Sequence, residues 1–308
     1  MDTFLQNQIS RRHLVKLGAI ASASFLVPGC RNVARPDPLK DRFSQLEAQH
    51  GGRLGVTFLD TATGRTAGHR MTERFGLCST FKLPLAGVIL READAGRLSL
   101  DTILPITEDD MVSHAPVTKK HIDTGGMSLK ALAEATQKTS DNPAANLLLN
   151  YLGGPDAFTQ KLRDLGDMTT RLDRYETAMN IVPPGEVRDT TTPLAMAQLI
   201  ARFLAPDTLS AESRETLIQW MRDTATGKNR LKAGLPPEWK PGNKTGTAYH
   251  KSMPNKYNDV AVAWPEANAP VIIACYYEGP EHVLAVRPED EAVLKYVGEI
   301  ASTWALEG

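Results

Sequence analysis

Ser79-Thr80-Phe81-Lys82 is the stretch from which the rest of the chain is read. Positions three apart on a helix share a face, so a helical start here sets the Lys82 amine beside the Ser79 hydroxyl. Serine is a weak nucleophile until a nearby base takes its proton. Lysine can be that base only where burial or neighbouring positive charge lowers its pKa. Backbone N–H groups at a helix start also face any oxyanion that develops there. Alone the tetrapeptide decides little. About one chance Ser-x-x-Lys is expected in a chain of this length at average composition, and a solvated helix start is the plain alternative.

Two further runs change the odds. Ser140-Asp141-Asn142 opens a helical pattern, with Pro143 suited to the first turn. All three residue types favour an N-cap, and a plain cap is the simple reading. A hydroxyl and an amide there could also relay a proton and bind a substrate carbonyl. Lys244-Thr245-Gly246, followed by Thr247, lies on a predicted strand. There the lysine and threonine point to opposite faces, and Gly246 lets a ligand approach the backbone closely. Its plain reading is an edge strand guarded by lysine. All three runs in this order fall below roughly one in a hundred by chance on composition.

Outward from these runs, Leu39, Phe43 and Leu46 recur at helical spacing, and Leu54 to Leu59 reads as a strand. Asp60-Thr61-Ala62-Thr63-Gly64 turns into a second strand, Arg65 to His69. The middle of the chain, about Ser79 to Arg222, is mostly helical, for example Leu129 to Thr139, Pro143 to Leu152 and Pro193 to Leu204. A polar, proline-bearing stretch from about Thr169 to Thr192 interrupts it. Strand signals return at Lys244 to Ala248, Val260 to Trp264 and Val271 to Tyr277, and a helix closes the chain from about Pro288 to Leu306. Strands at both ends with helices between predict a sheet completed by both termini, with a helical lobe inserted and a site where the lobes meet.

The ordered set Ser-x-x-Lys, Ser-Asp-Asn and Lys-Thr-Gly is a signature of class A β-lactamases and penicillin-binding proteins. From about Leu39 to the C-terminus the chain resembles a class A serine β-lactamase. The resemblance implies an α+β fold: a three-layer α/β/α lobe with an antiparallel sheet of about five strands, over about 38–70 and 223–308, and an all-helical lobe over about 71–222. Arg171 to Asn180 resembles the family's omega loop, in which Glu176 and Asn180 would hold the hydrolytic water. Arg188-Asp189-Thr190-Thr191 resembles the loop's far end, implying an ion pair between Arg174 and Asp189. Gly153-Gly154-Pro155 also fits the pattern. Arg230 aligns where some members carry an arginine that supports the substrate carboxylate, a suitable partner for a bidentate cation; a surface charge is its alternative. His114 sits where many members have an aromatic gate, or is an exposed loop histidine.

The implied activity is hydrolysis of penicillins and cephalosporins by an acyl-enzyme. Ser79, Lys82, Ser140 and Glu176 are expected to be catalytic. Asn142, Asn180, Lys244, Thr245, Gly246, Thr247, Arg230 and His114 are expected to bind substrate. Glu176 is what separates such an enzyme from its rivals. A D-alanyl-D-alanine peptidase, or a β-lactam sensor that stays acylated, needs no carboxylate to activate water against the ester. The segment 247–257 runs several residues longer than the usual hairpin, beside the expected acyl side-chain pocket. Ala248 stands where some relatives place the cysteine that pairs with the one before the nucleophile, so Cys78 lacks that partner.

The remaining features bound the class. A chain of 308 residues with 42% apolar and 23% charged residues suits an ordinary soluble globular protein, and a net charge of -1 offers nothing to nucleic acid or an anionic membrane. Ser10-Arg11-Arg12 through Lys16, then the short apolar run Leu17 to Val27, resembles a twin-arginine export signal over residues 1–30. That points to a periplasmic protein; a basic arm with a short helix is the alternative. Cys30 after Gly29 is either a lipidation site, giving a membrane anchor, or lies beside a simple cleavage point. Cys78 is either a small buried apolar residue or half of a bridge. No histidine pair or Cys-x-x-Cys has metal-ligand spacing, so no metal or other cofactor is expected. A monomer acting on a small molecule is expected over residues 31–308.

Overall fold

The computed structural model of the chain describes residues 38–265 and 269–307. Residues 1–30, expected to be an export signal, with Cys30 at their end, lie outside the described residues. Helix α1 (Pro38–His50) leads into β1 (Arg53–Asp60) and β2 (Thr66–His69). Then follow α2 (Lys82–Asp94), α3 (Leu129–Thr139), α4 (Asn142–Leu152), α5 (Pro155–Asp164), α6 (Pro193–Leu204), α7 (Ala211–Arg222) and the short α8 (Leu231–Gly234). The chain returns through β3 (Gly242–His250), β4 (Met253–Ala263) and β5 (Val271–Glu278) to α9 (Pro288–Leu306).

The five strands form one antiparallel sheet in the order β2-β1-β5-β4-β3. Both ends of the chain therefore build it, as the distribution of strand signals requires. Strand alternation divides the side chains between two cores. Ile273, Cys275 and Tyr277 of β5 pack with Phe58, Val297 and Trp304, under α1, α8 and α9. Ile272, Ala274 and Tyr276 join the larger core built with α2 to α7. Layers of helix, sheet and helix make an α+β fold of the expected class. Leu83 to Leu90 of α2 are all buried. A helix that is apolar all round belongs in the centre, and α2 carries the turn with Ser79 on its N-terminal end. Gly87 lets α6 close on it: an added Cβ would stand 2.8 Å from the Phe203 ring.

The segment after Thr247 is the long hairpin expected, and it is built of strand. Its residues lengthen both strands of the β3–β4 hairpin, with His250 paired to Met253 and a register shift between Ala248 and His250. Among the described residues no helix is long and apolar enough to cross a membrane.

Leu148 of α4 is fully buried in the larger core. Leu148→Ala is expected to cost about 2–5 kcal/mol, for lost burial plus the cavity it leaves. Denaturant unfolding should show a lower midpoint with an unchanged slope.

Candidate active site

Ser79, the expected nucleophile, sits on a tight turn. Cys78 to Phe81 form one 3-10 turn that runs straight into α2. Cys78 takes a positive φ of 43°, uncommon for a residue with a side chain. Lys82 Nζ lies 3.1 Å from Ser79 Oγ, as the three-residue spacing predicts. The ammonium also donates to Ser140 O at 2.9 Å and to Asn142 Oδ1, and pairs with Glu176 Oε1 at 3.0 Å. Both side chains of that ion pair are fully buried. Burial pulls the Lys82 pKa below its ordinary value, against the opposing pull of Glu176. Ser79 Oγ in turn reaches Glu176 Oε1 at 3.4 Å.

The Ser140-Asp141-Asn142 run divides its labour. Asp141 is the N-cap of α4: its Oδ1 accepts from Ala144 N at 3.0 Å, and its Oδ2 from Val117 N and Thr118 N. The plain cap reading is therefore right for the middle residue. Its two neighbours turn to Lys82. Ser140 ends α3 with φ 61°, and its Oγ lies 3.4 Å from Lys82 Nζ and 3.0 Å from Lys244 Nζ. Asn142 Nδ2 donates to Ser113 O and its backbone N–H to His114 O, so the 113–114 loop is tied to the same junction. His114 itself is exposed at the cleft rim, with ring Nε2 2.9 Å from Thr139 O.

Strand β3 forms the opposite wall. Lys244 is wholly buried, and burial first, then repulsion from Lys82, holds its pKa well below the ordinary lysine value. Thr245 turns the other way, to Thr226 at 2.7 Å. Gly246 corrects one expectation. An added Cβ there would meet Cys78 Cβ at 2.9 Å and Ser79 N at 3.1 Å. What the missing side chain admits is the protein's own nucleophile turn, pressed against the strand. Arg230 is 4% exposed, which removes the surface-charge alternative. It donates to Thr247 Oγ1 at 2.7 Å, to Gly246 O and Asn258 O, and to Glu291 Oε1 at 2.9 Å.

The loop carrying Glu176 is pinned at its neck. Arg174 Nε meets Asp189 Oδ2 at 2.6 Å, the ion pair implied by the resemblance. Leu77 N donates to Asp189 O, coupling the neck to the nucleophile turn. Asn146 brackets Glu176, donating to its carbonyl and accepting from its N–H, both at 2.9 Å. Asn180 Nδ2 donates to Glu176 Oε2 at 2.5 Å. All twelve expected residues thus gather around one cleft of about 610 Å³ or on its wall.

Sequence reasoning missed Asn146, Glu291 and Met253. Asn146 had a signal, since it follows Asn142 by one helical turn on the same face of α4. Cys78 and Cys275 are both free and buried, on different sides of the sheet, so the bridge alternative falls. Burial pushes the Cys78 thiol up to about 12. Among the described residues no group of His, Cys, Asp and Glu is arranged to hold a metal ion.

Residues 38–305 match the model of the β-lactamase enzyme family. The chain is 40% identical over 293 residues to β-lactamase AST-1 of Nocardia asteroides, covering 92% of this chain and 90% of that one. It is 44% identical over 261 residues to β-lactamase L2 of Stenotrophomonas maltophilia, covering 84% and 83%. Among solved structures, an ancestral class A β-lactamase superposes with a TM-score of 0.81 at 44% identity, covering 86% of this chain and 99% of that one.

Asp259 stands behind this wall, paired with Thr245 across the strands. It accepts from Asn243 Nδ2 and Leu231 N, and burial pushes its carboxyl from 3.8 up to about 6. An acid raised on folding binds more protons folded than unfolded, so its contribution is present below the unfolded pKa and is lost as pH rises through the folded one. Asp259→Asn removes that dependence. The unfolding free energy of wild type minus variant is expected to fall between pH 4 and 6, by at most about 1.4 kcal/mol per unit. A difference that stays flat in denaturant titrations across that range would contradict the assignment.

Proposed function

Because the chain belongs to the class A β-lactamase family and is a β-lactamase, we propose that it hydrolyses penicillins and cephalosporins through an acyl-enzyme on Ser79, released by water that Glu176 activates. The observation that carries this reading is the contact of Ser79 Oγ with both Lys82 Nζ and Glu176 Oε1, which also pair with each other.

Ser79 Oγ attacks the lactam carbonyl carbon while its proton passes to Lys82 as the neutral amine, the form that burial favours, or to the Glu176 carboxylate through water. Both bases lie within reach. The N–H groups of Ser79 and Thr247 receive the oxyanion. The ring C–N bond breaks as the Ser140 hydroxyl gives its proton to the leaving nitrogen and recovers one through Lys82, which carries the proton taken from Ser79 or receives it from Glu176. Two lysines within 3.0 and 3.4 Å of that hydroxyl stabilise the oxygen as the proton leaves. Glu176 then takes a proton from water as the water oxygen attacks the ester carbon; the bond to Ser79 Oγ breaks and that proton returns to Ser79 Oγ. Asn142 binds the acyl side-chain amide. Lys244, Thr245, Thr247 and Arg230 hold the substrate carboxylate beside Gly246, and His114 lines the entrance. The protein works as an exported, periplasmic monomer, with Cys30 a candidate lipid anchor.

A D-alanyl-D-alanine peptidase or a sensor that stays acylated would share Ser79 and Lys82. The buried carboxylate of Glu176, clamped by Asn146 and Asn180, favours turnover over both.

Glu176→Ala is expected to slow steady-state penicillin hydrolysis by about 10²–10⁴-fold and to leave a persistent adduct by mass spectrometry. The rate of adduct formation separates the two acylation bases: unchanged if Lys82 takes the proton, slowed if Glu176 does. Wild-type turnover without an adduct would refute the role of Glu176.

A further inference from the structure

The β3–β4 hairpin carries a side chain that the mechanism above does not use. Met253, the first residue of β4, is fully buried. It forms a small apolar cluster with Cys78 and Ala248, apart from the two main cores. Its sulfur accepts a hydrogen bond from Val182 N at 3.3 Å. Val182 lies two residues beyond Asn180, the side chain that donates to Glu176. It is 4% exposed and rests on Gly76, where an added Cβ would stand 3.1 Å from Val182 Cβ.

A buried backbone N–H needs an acceptor. Thioether sulfur is a weak one on an adaptable side chain. The arm of the loop after Asn180 is held from within by Arg174 Nη2 donating to Ile181 O at 2.9 Å. Met253 holds the next residue from outside, and it belongs to the sheet. The longer hairpin therefore reaches over the nucleophile turn and fastens the Glu176 loop to β4, with Cys78 packed beneath the joint.

We infer that Met253 is a positioning residue for the deacylation step: it fixes the Ile181-Val182 arm so that Asn180 stays on Glu176. This rests on the reading of Glu176 as the base that activates water. Met253→Leu conserves volume and apolar packing and removes only the acceptor. In a two-step scheme, on a substrate whose acyl-enzyme accumulates on the wild type, a slower second step lowers kcat and KM together and leaves kcat/KM in place; the cephalosporin for the test is chosen by that burst.

The test measures Met253→Leu and Glu176→Ala in parallel, on a chromogenic cephalosporin, with thermal unfolding and mass spectrometry of the enzyme during turnover. Met253→Leu is expected to keep its unfolding temperature within a few degrees. Its kcat should fall about five-fold, the size of one neutral hydrogen bond, with KM falling in step and acyl-enzyme accumulating. Unchanged kcat and KM overturn the inference while an adduct on Glu176→Ala leaves the mechanism standing. A reduced kcat at unchanged KM also overturns it, since that marks lost active enzyme. No adduct on Glu176→Ala removes the mechanism and the inference together.

Discussion

A lysine ammonium stripped of water is the constraint around which this site is arranged. Lys82 is wholly buried at the start of the central helix, and taking an isolated charge out of water costs several kcal/mol. The offsetting groups come from separate parts of the chain: Glu176 from the omega loop, Ser140 and Asn142 from the α3–α4 junction. Each must stay in place for Lys82 to remain where it is. A second buried lysine, Lys244, stands 3.0 Å from the Ser140 hydroxyl, and the mutual repulsion of the two cations helps depress its pKa. Fold and chemistry share this requirement, because the groups that make the buried charge tolerable are those proposed to move protons.

The loops around the site follow from it. Glu176 has to be delivered by a segment that is mostly irregular, so that segment is tied at many points. Arg174 and Asp189 close its neck, Leu77 N joins the neck to the nucleophile turn, and Asn146 grips the backbone of Glu176 on both sides. Gly246 belongs to the same logic. With a side chain there, β3 could not lie against Cys78 and Ser79 N, and the two walls of the cleft would part.

Much of this was legible in the sequence because the decisive geometry is local. A spacing of three puts Lys82 on Ser79, an N-cap run turns Ser140 and Asn142 inward, and strand alternation sends Lys244 and Thr245 to opposite faces. The sheet was legible from strand signals at both ends of the chain. Contacts that cross between elements were not. Nothing in the neighbourhood of Glu291 announces its pairing with Arg230, some sixty residues earlier, and Met253 reads as one apolar residue in a long hairpin. The extra length of the hairpin was legible, but not where it goes: extra residues that pair with each other extend two strands at once. Cys78 was ambiguous only until Cys275 was placed. Tyr276 faces Thr80 at 3.3 Å, so its neighbour Cys275 must point to the far side of the sheet.

The charge pair of Lys82 and Glu176 is the centre of the account, and an NMR titration of the Lys82 side chain, carbon-13 labelled at Cε, tests it most directly. In the unliganded wild type, Lys82 should titrate below the ordinary lysine value of 10.5. In Glu176→Gln, which removes the opposing carboxylate, it should titrate lower still. A Lys82 that titrates at or above its ordinary value, or that does not respond to Glu176→Gln, would contradict a buried ammonium held in place by that carboxylate.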